Sequence, residues 1–121
     1  MRYACLVHFD PQVVFNQSPE SEAVLRDGFS YLEELRASGV LVTDGALQLP
    51  DQTMTLRVRD GKMSATDGPF LETKEILGGF LVIEARDLNE AVRVGAGIPL
   101  AKLGTVEVRP FVDFSKPRPT L

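Results

Sequence analysis

The chain has a single cysteine, Cys5, a single histidine, His8, and no tryptophan among its 121 residues. Each scarcity removes a class of protein. A lone cysteine cannot close an internal disulfide, so the stapled framework of small secreted domains is excluded and a cytoplasmic address is expected. One cysteine and one histidine cannot assemble a usual zinc site, and no ligand spacing announces an all-oxygen Mg²⁺ or Ca²⁺ site. No cofactor is expected either. Gly95-Ala96-Gly97 is the nearest approach to a dinucleotide turn, but it closes a helix with Pro99 behind it, whereas the fingerprint stands between a strand and a helix. No apolar run approaches the roughly 20 residues that span a bilayer, and the N-terminus leads straight into a strand, so no membrane association is expected. The 13 Lys and Arg are scattered and are outnumbered by 17 Asp and Glu, for a net charge of −4. A nucleic-acid groove needs a basic stripe, so direct nucleic-acid binding is not expected.

What is present is ordinary for a globular domain: 44% hydrophobic and 25% charged residues, in a chain long enough to bury one core. The expected domain is 1–114. The tail 115–121, with two prolines and two basic residues, is expected to be extended or disordered.

Tyr3 to Phe9 has strand character, with Tyr3, Cys5, Val7 and Phe9 on one face and Ala4, Leu6 and His8 on the other. Asp10-Pro11 ends it, and a loop is expected as far as Gln17. Ser18-Pro19-Glu20 is a helix start, with a hydroxyl cap, proline at the first position and acid in the first turn. Leu25, Phe29, Leu32 and Leu35 form an apolar stripe at helical spacing, and Gly39 closes the helix. Short extended pieces follow at 40–43 and 46–49. Thr53 to Arg59 alternates, with Met54, Leu56 and Val58 expected inward and Arg57 and Arg59 outward. Asp60-Gly61 is a two-residue hairpin turn leading to a return strand at 62–66. Phe80 to Ile83 is apolar on both faces, as a central strand covered from both sides should be. Asp87 caps a second helix with a face of small residues, and Thr105 to Val112 is the last strand.

The order β-α-β-hairpin-β-α-β predicts an α+β fold. It is the ferredoxin-like split βαβ arrangement with an extra hairpin, a four-stranded antiparallel core sheet and two helices on one face. The other face, half apolar, calls for a cover, and a second copy of the chain laid sheet against sheet supplies one. A homodimer with a polar-lined chamber is therefore expected.

The densest chemistry lies between residues 66 and 84, where a turn, Asp67-Gly68-Pro69, opens a charged loop that runs through Gly78-Gly79 into the central strand. Six residues are candidates for lining a ligand pocket. His8 either finds a neighbouring partner at its strand end or acts as a general base within reach of Glu107 or Arg109. Asp67 caps its own turn or serves the pocket. Glu72, with Lys74 and Glu75, is either a solvated turn or part of a network tying the loop to Arg57 or Arg109. Arg57 and Arg109 offer planar forks for a carboxylate or phosphate, or pair structurally with a neighbouring acid. Cys5 is expected to be a small core residue.

D-G-P-F-L-E-T-K-E at 67–75, L-G-G-F at 77–80, E-A at 84–85 and 90–91, Pro99, Gly104 and V-E-V-R-P at 106–110 resemble the DGPF subgroup of the YCII-related family. Arg57-Val58-Arg59-Asp60-Gly61-Lys62 fits the same pattern. The resemblance implies a dimeric α+β barrel. It also implies a regulatory association, since such proteins are often encoded beside extracytoplasmic-function sigma factors, and hence a sigma factor as a possible protein partner. The wider family's proposed His–Asp pair places a histidine near the start of the first long helix. Residues 21–26, S-E-A-V-L-R, hold none, so that pair is not carried over. Two functions follow as expectations: a dimer that binds or senses a small anionic or oxygenated molecule, or a cofactor-free enzyme of isomerase, lyase or hydrolase type working by acid–base chemistry in the chamber.

Overall fold

A computed structural model of the chain describes residues 1–118 and 120. The first strand, β1 (Arg2–Phe9), follows the expected alternation. Tyr3, Cys5, Val7 and Phe9 are all 6% exposed or less, whereas Ala4, Leu6 and His8 are only half-buried. Asp10 then caps a one-turn helix, α1 (Pro11–Val14), its carboxylate accepting from the Gln12 N–H at 2.9 Å. This turn lies where a loop was expected, because four residues are too few to display a helical period.

The long helix α2 (Pro19–Ala37) starts as its sequence predicts, with Ser18 Oγ accepting from the Ser21 N–H at 3.1 Å. Its buried stripe is rotated from the expected one. Val24 and Leu35 are buried and Leu25, Tyr31 and Leu32 pack against the core, while Phe29 is 72% exposed. A four-residue spacing places side chains on one face without saying which part of that face meets the sheet. In place of the two short pieces expected at 40–43 and 46–49 there is one strand, β2 (Leu41–Ala46), which runs through Asp44-Gly45 with an irregularity between Leu41 and Thr43; residues 47–49 are not strand.

β3 (Met54–Arg59) and β4 (Lys62–Asp67) form the expected hairpin. Asp60 and Gly61 both take positive φ, 53° and 73°, as a primed two-residue turn requires. These strands pair only with each other. Met54, Leu56 and Val58 do share a face with Met63, but all four are 56% exposed or more. They point away from the domain's own core, contrary to expectation, because the hairpin stands off from the main sheet.

That sheet has the order β2-β5-β1-β6, every pairing antiparallel, with β5 (Ile76–Glu84) and β6 (Thr105–Pro110) flanking β1. The helix α3 (Leu88–Ala96) is capped by the Asp87 carboxylate at 2.9 Å from the Glu90 N–H. It presents Ala91 and Gly95 to the core; a Cβ on Gly95 would lie 2.9 Å from Val108. Tyr31 ties α2 to α3 through its hydroxyl, which donates to the Val94 carbonyl at 2.7 Å. Both long helices thus cover the Cys5 face. The opposite face carries Ala4, Leu6, His8, Phe80, Val82, Glu107 and Arg109 by register and alternation.

The register between β1 and β5 slips between Val7 and His8: Val7 faces Gly79, but His8 faces Leu77, leaving Gly78 as the extra residue. A Cβ at Gly78 would sit 2.0 Å from the Phe9 ring. The bulge therefore needs glycine there. Replacement Gly78→Ala is expected to cost about 1–3 kcal/mol through overpacking, read as a lower midpoint in urea unfolding.

At the sheet's far end the Glu84 carboxylate accepts from Arg2 at 2.8 Å and from the N-terminal ammonium at 3.2 Å. These bonds, Arg2 foremost, hold its carboxyl below the ordinary value. A depressed carboxyl stabilises the fold above the unfolded-state pKa, and that contribution fades as the pH falls below about 4.3. Glu84→Gln should therefore lower the melting temperature slightly at pH 7, with the difference shrinking as the pH falls through the carboxylate range and in high salt.

Candidate functional site

The bulge bends β5 beside the end of β1, and around it the chain builds a cleft of about 1100 Å³ on the side of the sheet away from the helices. His8 lies in its wall. Gly104 lets the start of β6 come close; a Cβ there would be 2.2 Å from the His8 carbonyl oxygen. β6 then sets Thr105 directly opposite His8 and Glu107 on the diagonal of the same face, within reach of a long side chain. His8 Nε2 lies 2.8 Å from Glu107 Oε1. Nε2 is closed off from solvent, and the Glu107 carboxylate is the polar group beside it. The contact is a close approach of ring and carboxylate, ionic once the ring is protonated.

The charged loop between β4 and β5 forms the other wall. Its entry is tied to the hairpin: the Gly68 N–H donates to the Thr53 carbonyl at 2.7 Å, and Thr55 Oγ1 donates to the Gly68 carbonyl at 2.7 Å. Its exit is tied to β6, where Thr105 Oγ1 donates to Glu75 Oε1 at 2.8 Å. Thr73 Oγ1 donates to the Glu75 carbonyl at 2.6 Å. Held at both ends, the loop lines the cleft with Pro69, Phe70, Leu71, Glu72, Thr73 and Glu75. Leu47, Leu49, Met54, Ile76 and Leu77 complete an apolar lining, and Asp51, on a short 3-10 turn at Pro50–Gln52, adds a third carboxylate.

Of the six residues singled out by sequence, His8 and Glu72 line the cleft, and Glu107 stands beside His8. The other three do not join them. Arg57 is carried off on the hairpin, opposite Ser64. Arg109 sits opposite Ala4, further along β6, and both arginines are exposed. Asp67 ends β4 opposite Met54 and is exposed; its turn is held by backbone and Thr55 bonds rather than by its carboxylate. The expected network of loop acids with Arg57 or Arg109 does not form among the described residues, since neither arginine has an ion pair there. The anchor is a neutral threonine. Sequence reasoning passed over Thr105 and Asp51 and left Glu75 as one charge in a loop. Only the pairing of β1 with β6 brings Glu75 and Thr105 to His8. Among the described residues no three His, Cys, Asp or Glu side chains gather as a metal-binding group, and no helix is long and apolar enough to cross a membrane.

The geometry defines a small α+β domain with an imidazole–carboxylate pair at the edge of a large, partly apolar cleft. The chain belongs to the YCII-related domain family, whose pattern it matches over residues 1–115. An uncharacterized protein of Rhizobium meliloti is 35% identical over 117 residues, covering 94% of each chain. Among solved structures, a 5-chloro-2-hydroxyhydroquinone dehydrochlorinase from Burkholderia phenoliruptrix, in complex with 2,5-dihydroxybenzoquinone, has a similar fold. The TM-score is 0.55 with 19% sequence identity, over 93% of this chain and 94% of that one. At that identity the likeness is one of fold.

Proposed function

We propose that this protein is a homodimer that binds a small organic molecule in the cleft beside His8. One observation carries the assignment: the only histidine of the chain lies in the wall of a cleft of about 1100 Å³, its Nε2 2.8 Å from the Glu107 carboxylate. A volume of this order is ample for a metabolite, since binding clefts run to roughly 300–1,000 Å³. A mostly apolar lining with a few polar groups is the usual composition of such sites. The dimer is supported by two unpartnered apolar surfaces. Leu6, Phe80 and Val82 are only half-buried on the open sheet face, and Met54, Leu56, Val58 and Met63 lie bare on the hairpin. Continuous apolar surface of this kind marks an interface.

A second function, acid–base catalysis without a cofactor, is favoured by the 2.8 Å approach of Glu107 to His8. A carboxylate beside an imidazole orients the ring, and an imidazole in the cleft wall is placed to exchange a proton with a bound substrate. The fold of the dehydrochlorinase accommodates chemistry on an oxygenated ring, but one fold hosts many functions.

A thermal-shift screen of metabolites separates the possibilities. A ligand present at a hundredfold its Kd adds about 2.7 kcal/mol of stability, a shift of several degrees that His8→Phe should abolish while leaving the unliganded protein folded. Incubating each hit and assaying for product then separates binding from turnover. Sedimentation should give a dimer of the 13.3 kDa chain, and the double substitution Leu56→Glu with Val58→Glu is expected to shift it toward monomer. A wild-type monomer would remove the dimer from the proposal.

A further inference from the structure

The charged groups that line the cleft are all of one sign. Asp51, Glu72 and Glu75 stand in its wall, and no lysine or arginine does. None of the three carboxylates is in an ion pair among the described residues. Glu75 receives only the neutral Thr105 hydroxyl, while Arg57 and Arg109, the forks that would welcome an anion, lie outside the lining. His8, half-buried in the same wall, has its Nε2 2.8 Å from Glu107, so a further carboxylate stands just behind the lining.

We infer that the ligand of this cleft is a neutral or cationic amphiphile, an apolar body carrying an amine or hydroxyl donor, and not an anion. The inference rests on the cleft being the binding site, as proposed above. Three exposed carboxylates with no ion-pair partner among the described residues, set around a partly apolar volume, make a negative field, which repels a carboxylate or phosphate and attracts an ammonium. An ionised carboxylate accepts hydrogen bonds and donates none, so the polar end of the ligand must supply the donors. The apolar wall takes the rest of the molecule. Where the sequence allowed an anionic ligand held by Arg57 or Arg109, the folded lining selects against one.

The test uses three probes of nearly one shape: 2-phenylethylamine, 2-phenylethanol and phenylacetate, positive, neutral and negative at pH 7.5. Each is titrated into the full-length protein and followed by NMR shifts of cleft residues such as His8, Thr73 and Leu77. The amine is expected to bind tightest and the acid weakest, with a ratio of roughly tenfold between them. Glu72→Gln with Glu75→Gln should bring that ratio to about twofold or less if these carboxylates set the preference. Phenylacetate binding in the cleft as well as the amine overturns the charge preference and leaves the binding site standing. A preference unchanged in the double variant assigns it to the overall charge of −4 instead, and also overturns the inference. If none of the probes moves a cleft resonance, the site fails and the inference with it.

Discussion

The site depends on one irregularity in the ladder between β1 and β5. Up to Val7 the two strands run in simple register, and beyond it one residue of β5 is surplus. Absorbing that residue bends β5, while the alternation of β1 runs unbroken to Phe9. Phe9 then closes over Gly78, and His8 is left on the open side, where Thr105 and Glu107 of β6 meet it. Glycine at the surplus position is what makes the slip sterically possible. The charged loop leads straight into the same bulge, so the ladder fault and the chemistry are one feature.

Around this point the chain divides its work between two surfaces. The Cys5 face, covered by α2 and α3, is conventionally packed. Cys5 is fully buried and its thiol is pushed up to about 11 by burial, which leaves it a small apolar filler rather than a nucleophile. The opposite face combines half-buried aliphatic and aromatic side chains with the polar cleft, and the hairpin adds an apolar flank with nothing from its own domain against it. The packed core lies on one side of the sheet and the cleft on the other.

Much of the architecture was legible because local rules agreed with the global fold. Ser18-Pro19 and Asp87 capped the helices as read, Asp60-Gly61 turned the hairpin, and the alternation from Tyr3 to Phe9 named the buried face of β1 correctly. Errors came where a periodic pattern met surroundings it does not encode. Met54, Leu56 and Val58 alternate as a core-facing strand should, yet the hairpin pairs only with itself. Phe29 fits the helical stripe, yet lies past the edge of the contact with the sheet. At the site, sequence singled out His8, Glu72 and Glu107 by chemical type, and the same criterion also named Arg57, Asp67 and Arg109, which the fold places outside the cleft lining.

The amino-acid order by itself determined the elements, their sequence along the chain and the burial of the Cys5 face, because caps, turns and alternation act over a few residues. It also determined that a single imidazole would be available for chemistry. Tertiary structure alone decided what that imidazole meets. Which strands are neighbours, and by how many residues their ladder slips, depends on contacts between segments far apart in the chain. Those contacts brought Glu75, Thr105 and Glu107 toward His8 and carried both arginines away, leaving carboxylates as the formal charges that line the cleft among the described residues.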